Sequence, residues 1–246
     1  MAISHEVVVA PIAALQQRLR RLVQEASRRA VAEGRRFSLA IPGGSVVTQL
    51  LVALRADDID WSSTDIFWCD ERAVAPGHPD SNYGASIAGW LGALRATGVR
   101  LHRMEGDDPS LDEAARRYEV ALVASLGSPP ILDMAVVGIG EDGHVCSLFP
   151  GHPALRETGR VALAVRGAPK PPPDRVSLSL PVVAGARCLV AAALGASKHA
   201  AMREVLEDQQ AASPIAQLLR RSASAVVLLD EAAAHGSEPQ AVVGRV

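Results

Sequence analysis

Residues 131–151 read ILDMAVVGIGEDGHVCSLFPG. The run from Ile131 to Val137 is apolar except for Asp133, which suits a strand buried on both faces. The chain then breaks into Gly138, Gly140 and Gly143, with Glu141, Asp142 and His144 set among them. Glycines let a backbone turn sharply and let other groups come close. Open α/β sheets build their sites this way, at the carboxyl ends of buried strands. A polar turn between two elements would be written in the same letters.

Three other stretches repeat the pattern. Residues 37–41 predict a strand that runs into Pro42, Gly43, Gly44 and Ser45 and then a helix over 46–54. A strand, a Gly-Gly-Ser turn and a helix start make an anion cradle, because unpaired N–H groups and the helix dipole favour negative charge. It is not the Walker sequence, which needs Lys-Ser/Thr after its last glycine. Residues 65–69, DIFWC, predict a third buried strand, with Asp70, Glu71 and Arg72 directly after it. Residues 188–194 predict another, ended by Gly195, with Lys198 in the first turn of a helix over 196–207. A cation there works against the dipole, and makes sense if an anion lies between them.

The remaining chain alternates in the same manner. Strands are expected over 7–10, 99–104, 161–165, 175–180 (half-buried by its alternation) and 225–229. Helices are expected over 12–33, from Asp80 or Ser81 to 94, over 111–126 behind the capping box Ser110–Glu113, and from Ser213-Pro214 to 219. The tail after Ala232 reads as loosely ordered. Alternation without repeats or long linkers predicts one α/β domain over residues 1–246, with a largely parallel sheet covered on both faces. In such a sheet the four polar loops lie on one edge and can converge on one crevice.

Composition excludes several function classes. Net charge is -2 with acids and bases mixed, so there is no basic stripe for nucleic acid. No segment approaches the ~20 apolar residues of a membrane span. Cys69, Cys146 and Cys188 are few and scattered, and the first residues have no signal-peptide pattern, so a cytoplasmic protein is expected. No exposed apolar helix stands out, and a monomer is expected. Gly138, Gly140 and Gly143 match GxGxxG, but Phe149-Pro150-Gly151 cuts any helix short and no acid follows at the dinucleotide spacing. There is no HExxH, no metal-ligand cluster and no GxSxG elbow. Neither a metal nor a cofactor is expected.

At GEDGHVCSLFPG the chain closely resembles the 6-phosphogluconolactonases. The likeness extends over roughly residues 37 to 215, through Gly43-Gly44-Ser45, Asp70-Glu71-Arg72 with Ser81-Asn82, Lys170-Pro171-Pro172 with Arg175, and Gly195-x-x-Lys198. The chain departs from the family pattern at Pro42, Val145 and Cys146. The resemblance implies a three-layer α/β/α sandwich with a mostly parallel, Rossmann-like sheet, the fold of glucosamine-6-phosphate deaminases and ribose-5-phosphate isomerases. The deaminases continue after their D-G-H loop with a glutamate-bearing segment. Ser147-Leu148-Phe149-Pro150 stands here instead, which speaks against deaminase or isomerase chemistry. A non-catalytic sugar-phosphate sensor would lack the base that His144 can supply.

The implied reaction is hydrolysis of 6-phospho-D-glucono-1,5-lactone, the second step of the oxidative pentose phosphate pathway. His144 is the expected general base. Asp70 or Asp142, with Glu71 a further carboxylate at hand, would orient it or hold a sugar hydroxyl. Arg72 and loop N–H groups are candidates for the oxyanion. The phosphate falls to Gly43, Gly44, Ser45 and Lys198, with Arg175 and Lys170 as second choices. Cys146 is not expected to be a nucleophile.

Overall fold

A computed structural model describes residues 5–208 and 210–236. Strands and helices alternate as the periodicities predict. β1 (Glu6–Val9) leads into α1 (Ile12–Ala32), and β2 (Phe37–Ile41) into a short α2 (Ser45–Gln49). β3 (Thr64–Trp68) is followed by β4 (Asp70–Arg72). α3 (Asn82–Ser86) continues through one π-helical turn into α4 (Gly92–Leu94), and then come β5 (Arg100–His102) and α5 (Leu111–Leu126). β6 (Met134–Gly138), β7 (Ala162–Val165) and β8 (Arg175–Leu178) precede α6 (Leu180–Ala184) and β9 (Leu189–Ala193). α7 (His199–Glu207), α8 (Pro214–Arg221), β10 (Ala225–Leu229) and α9 (Glu231–His235) complete the described chain.

Seven strands form one sheet in the order β1-β10-β9-β6-β2-β3-β5, every pair parallel. The period of two along each strand divides the core. Met134 and Val136 of β6 join α1 (Leu15, Leu19, Val23) on one face, and Ala135 and Val137 join α5 (Ala115, Leu122) and α8 (Ile215, Leu218) on the other. The three layers are therefore the sandwich that the sequence implies. Asp133, the polar interruption before β6, is buried and satisfied. Its carboxylate accepts from the Ser38 amide (3.0 Å), the Ser38 hydroxyl (2.9 Å) and Arg35 (2.6 Å).

Several expectations shift. The helix expected over 46–54 stops after Gln49 and ends as a single 3-10 turn over Leu51–Ala53. Asp70–Arg72, read as a loop, is a strand. It pairs antiparallel with β8, and β8 with β7, in a second sheet of three strands. The alternation of 175–180 does not make a half-buried strand, because all four residues of β8 are buried. Lys198 ends a 3-10 turn just ahead of α7 rather than lying inside its first turn. Of the tail read as loose, α9 orders the first part, and residues 237–246 lie outside the described residues.

The strand order places the site. From β2 the chain winds outward through β3 to β5, returns to β6 beside β2, then winds the other way through β9 and β10. The loops after β2 and β6 diverge over opposite faces and leave a crevice between them, the usual place for a ligand in an open parallel sheet.

Candidate active site

A cavity of about 220 Å³ occupies that crevice. All four polar loops reach it, as the parallel order requires. Gly43, Gly44 and Ser45 come from the end of β2, and Asp70 and Arg72 from β4 directly after β3. His144 comes from the loop after β6, Arg175 from β8, and Lys198 from beyond β9. Two of the predicted residues, Asp142 and Lys170, stand behind His144 instead of lining the wall.

The imidazole of His144 is fixed from two sides. Its Nδ1 lies 2.5 Å from Asp142 Oδ1, and its ring packs against Phe149 with centroids 4.4 Å apart. A carboxylate only accepts, so Nδ1 carries the proton and Nε2 is left with its lone pair. Burial depresses the His144 pKa below that of an ordinary histidine, against the opposing pull of Asp142. Burial works against the Asp142 carboxylate too, but the hydrogen bond and charge of His144 bring its pKa below the usual value. The side chain at neutral pH is thus a neutral imidazole with a defined tautomer. Lys170 adds a cation behind the pair, with Nζ 3.0 Å from Glu141 and 3.7 Å from Asp142.

The turn that makes this pair depends on Gly140. A Cβ there would fall 2.0 Å from His144 Nδ1 and 2.7 Å from Asp142 Oδ1. Gly140 accepts the Gly143 amide, and its own N–H donates to the His144 carbonyl, which closes the loop on itself.

Asp70 is buried in the cavity wall. It accepts the Ser147 hydroxyl at 2.7 Å and the Asn82 side-chain amide at 3.3 Å. Arg175 is only 4% exposed. Its guanidinium donates to the carbonyls of Lys170 and Pro172 at 3.0 Å each and lies over the Phe149 ring. Burial lowers its pKa while Asp70 pulls the other way. An arginine stays charged regardless, so the inner wall carries one cation and one anion in close company.

Glu71 turns away from the cavity. Its carboxylate accepts from the amides of Arg72, Asn82 and Tyr83 and from the Ser81 hydroxyl, and so clamps the loop before α3. Burial pushes its pKa up against those four hydrogen bonds. Arg72 donates from Nη1 to the Asp80 carbonyl at 2.6 Å, and its buried Nε has no hydrogen-bond partner among the described residues. Among those residues Lys198 forms no ion pair. Cys146 also reaches the cavity, but a hydrogen bond with Cys69, together with burial, pushes its thiol well above the ordinary value. It is held protonated, the wrong state for a nucleophile.

Sequence reasoning gave no role to Asn82 or Ser147. Both are buried polar residues that hold Asp70. The signal for Ser147 was its hydroxyl within an otherwise apolar segment. Asn82 was visible only as part of a family pattern.

Comparison with known proteins identifies the family. The family described as glucosamine-6-phosphate isomerases/6-phosphogluconolactonase matches residues 11–228. The 6-phosphogluconolactonase of Rattus norvegicus is 36% identical over 208 residues, which cover 81% of this chain and 80% of the rat protein. A probable 6-phosphogluconolactonase of Drosophila melanogaster is 34% identical over 220 residues, 89% of each chain. Among solved structures, a 6-phosphogluconolactonase from Trypanosoma cruzi superposes with a TM-score of 0.82 over 95% of this chain and 97% of its own, at 21% identity, which shows a shared fold. The chain belongs to the glucosamine-6-phosphate isomerase/6-phosphogluconolactonase family.

Proposed function

We propose that this protein hydrolyses 6-phospho-D-glucono-1,5-lactone to 6-phosphogluconate, as a single-domain, monomeric, cytoplasmic enzyme of the oxidative pentose phosphate pathway. The observation that carries the reading is the neutral His144, held by Asp142 at a cavity wall that Lys198 and the Gly43-Gly44-Ser45 turn also line. His144 Nε2 takes a proton from water as the water oxygen attacks the lactone carbonyl. The tetrahedral oxyanion is met by Arg72, which lines the wall, as the candidate donor. The intermediate collapses, the ring C–O bond breaks, and the imidazolium returns its proton to the departing ring oxygen. The product is the open-chain acid, and His144 is neutral again.

Asp142 orients the base, which leaves Asp70 to hold a substrate hydroxyl. The phosphate sits against Gly43, Gly44, Ser45 and Lys198, where backbone N–H groups and a cation converge. Arg175 supports the inner wall, and Lys170 acts through Glu141 and Asp142. The segment after the D-G-H loop contributes no carboxylate to the cavity, because Ser147, Leu148, Phe149 and Pro150 carry none. That favours lactone hydrolysis over deaminase chemistry.

The test is hydrolysis of freshly made 6-phosphogluconolactone above its spontaneous rate, wild type beside His144→Ala. Acceleration by wild type and a fall of about 10²–10⁴ in the variant, with 6-phosphogluconate still bound, is the expected result. A variant that keeps most of the activity would remove His144 from the mechanism. No acceleration by wild type would remove the lactonase reading.

A further inference from the structure

Asn82 joins the two ends of the cavity, although its side chain is given no part in the chemistry above. It is 2% exposed and lines the cavity wall. Its side-chain Nδ2 donates to the Asp70 carbonyl at 2.8 Å and reaches the Asp70 carboxylate at 3.3 Å. A carbonyl can only accept, so this bond fixes which end of the amide is nitrogen. The oxygen must then face the other way, toward the turn after β2. There it meets Gly43 so closely that a Cβ on Gly43 would sit 1.8 Å from it. That Oδ1 is buried with no hydrogen-bond partner among the described residues. A buried acceptor without a donor costs stability, and a native fold that keeps one calls for an explanation.

The backbone of Asn82 is equally constrained. Its amide donates to Glu71 at 2.8 Å, within the carboxylate clamp that starts α3. The residue therefore cannot move as a unit without moving either Asp70 or the turn. One side chain is wedged between the loop that cradles an anion and the carboxylate that faces the reacting end.

We propose that Asn82 is a positioning residue that couples phosphate binding at the Gly43-Gly44-Ser45 turn to the placement of Asp70, so that the remote phosphate raises the rate of the chemical step. The inference rests on the lactonase reading of the cavity. Binding energy from a non-reacting part of a substrate can be used to order the reacting end. Here the path runs from the turn through Gly43, across the Asn82 amide, to Asp70. Gly43 is part of the device, since any side chain there would push the amide away from its contact.

The experiment compares kcat on saturating 6-phosphogluconolactone with kcat on saturating glucono-1,5-lactone, which lacks the phosphate. It is run on wild type, Asn82→Ala and Gly43→Ala. Wild type should turn over the phosphorylated lactone faster, and both variants should reduce that ratio by about tenfold or more. A merely structural residue would lower kcat on both lactones by the same factor, and that result would overturn the proposal. So would a wild type with equal kcat on the two lactones, which decides the matter even if Asn82→Ala does not fold. A wild type with no turnover of either lactone would remove the lactonase reading and this inference with it. A wild type active on both without discrimination removes the coupling alone.

Discussion

His144 Nδ1 and Asp142 Oδ1 meet at 2.5 Å across a single intervening residue, Gly143, so one tight turn supplies both the ring and the group that orients it. Base and orienter thus share one turn.

The pH dependence follows from burial. His144 ionises below the ordinary value of 6.5, since the cavity disfavours the imidazolium. The acid limb of kcat/KM should therefore lie below that value. Asp142→Asn removes the group that pulls the pKa up, so the limb should move to lower pH while the plateau rate falls about tenfold or more. A limb that moves upward would show that the pair is wrongly assigned.

Stability should carry the same signature. The folded pKa is depressed, so the unfolded chain binds the proton more readily between the two values. Stability should decline as pH falls from 6.5 toward the folded value, and His144→Ala should lack that component. Urea titrations of both proteins at a series of pH values would resolve the difference.

Gly140→Ala puts a methyl group 2.0 Å from the His144 ring. The ring must leave its place beside Asp142. Turnover should fall by about 10²-fold, and far-UV circular dichroism should remain that of wild type. Turnover within a factor of two of wild type would show that the loop can relax around a side chain.

Lys198→Met keeps most of the unbranched side chain and removes its charge. A charge-assisted hydrogen bond is worth about 1.5–3 kcal/mol, so KM for the phosphorylated lactone should rise by about 10- to 150-fold. Inorganic phosphate should lose its inhibition in parallel. Unchanged inhibition by phosphate would place the anion elsewhere.

Asp133 lies at the other edge of the sheet, where β6 begins. Its carboxylate is 3% exposed and accepts from Arg35 and Ser38. Asp133→Ala leaves those donors without an acceptor and should cost about 1–3 kcal/mol of folding stability. The kcat of the folded fraction should not change, because the residue lies away from the cavity.

Much of the fold was legible in the chain because buried parallel strands are written as apolar runs, and each run here ends in glycines or charges. That local signal located β2, β3, β6 and β9 and the loops that line the cavity. Of the antiparallel sheet, β7 and β8 were legible and β4 was not. Asp70–Arg72 is a strand only because β8 lies beside it, and three polar residues carry no trace of a partner a hundred positions away. The same limit hid the burial of Arg175, which comes from the loop folded over it and the Phe149 ring beneath it. Periodicity likewise could not choose among Asp70, Glu71 and Asp142. Each faces a different way, and only the hydrogen bonds separate a carboxylate on the imidazole from one in the cavity wall and one that clamps a loop.

The winding of the sheet, outward from β2 and then outward again from β6, has a consequence for synthesis. The cavity walls are drawn from both windings, so a nascent chain that has made β2, β3 and β5 possesses the anion turn, Asp70, Arg72 and Asn82 but neither His144 nor Lys198. Only when β6 and β9 have docked is this cavity complete. A molecule that fits the cavity therefore discriminates finished protein from every shorter or half-folded form. By mass action it also stabilises the whole sheet, because no single loop could hold it alone.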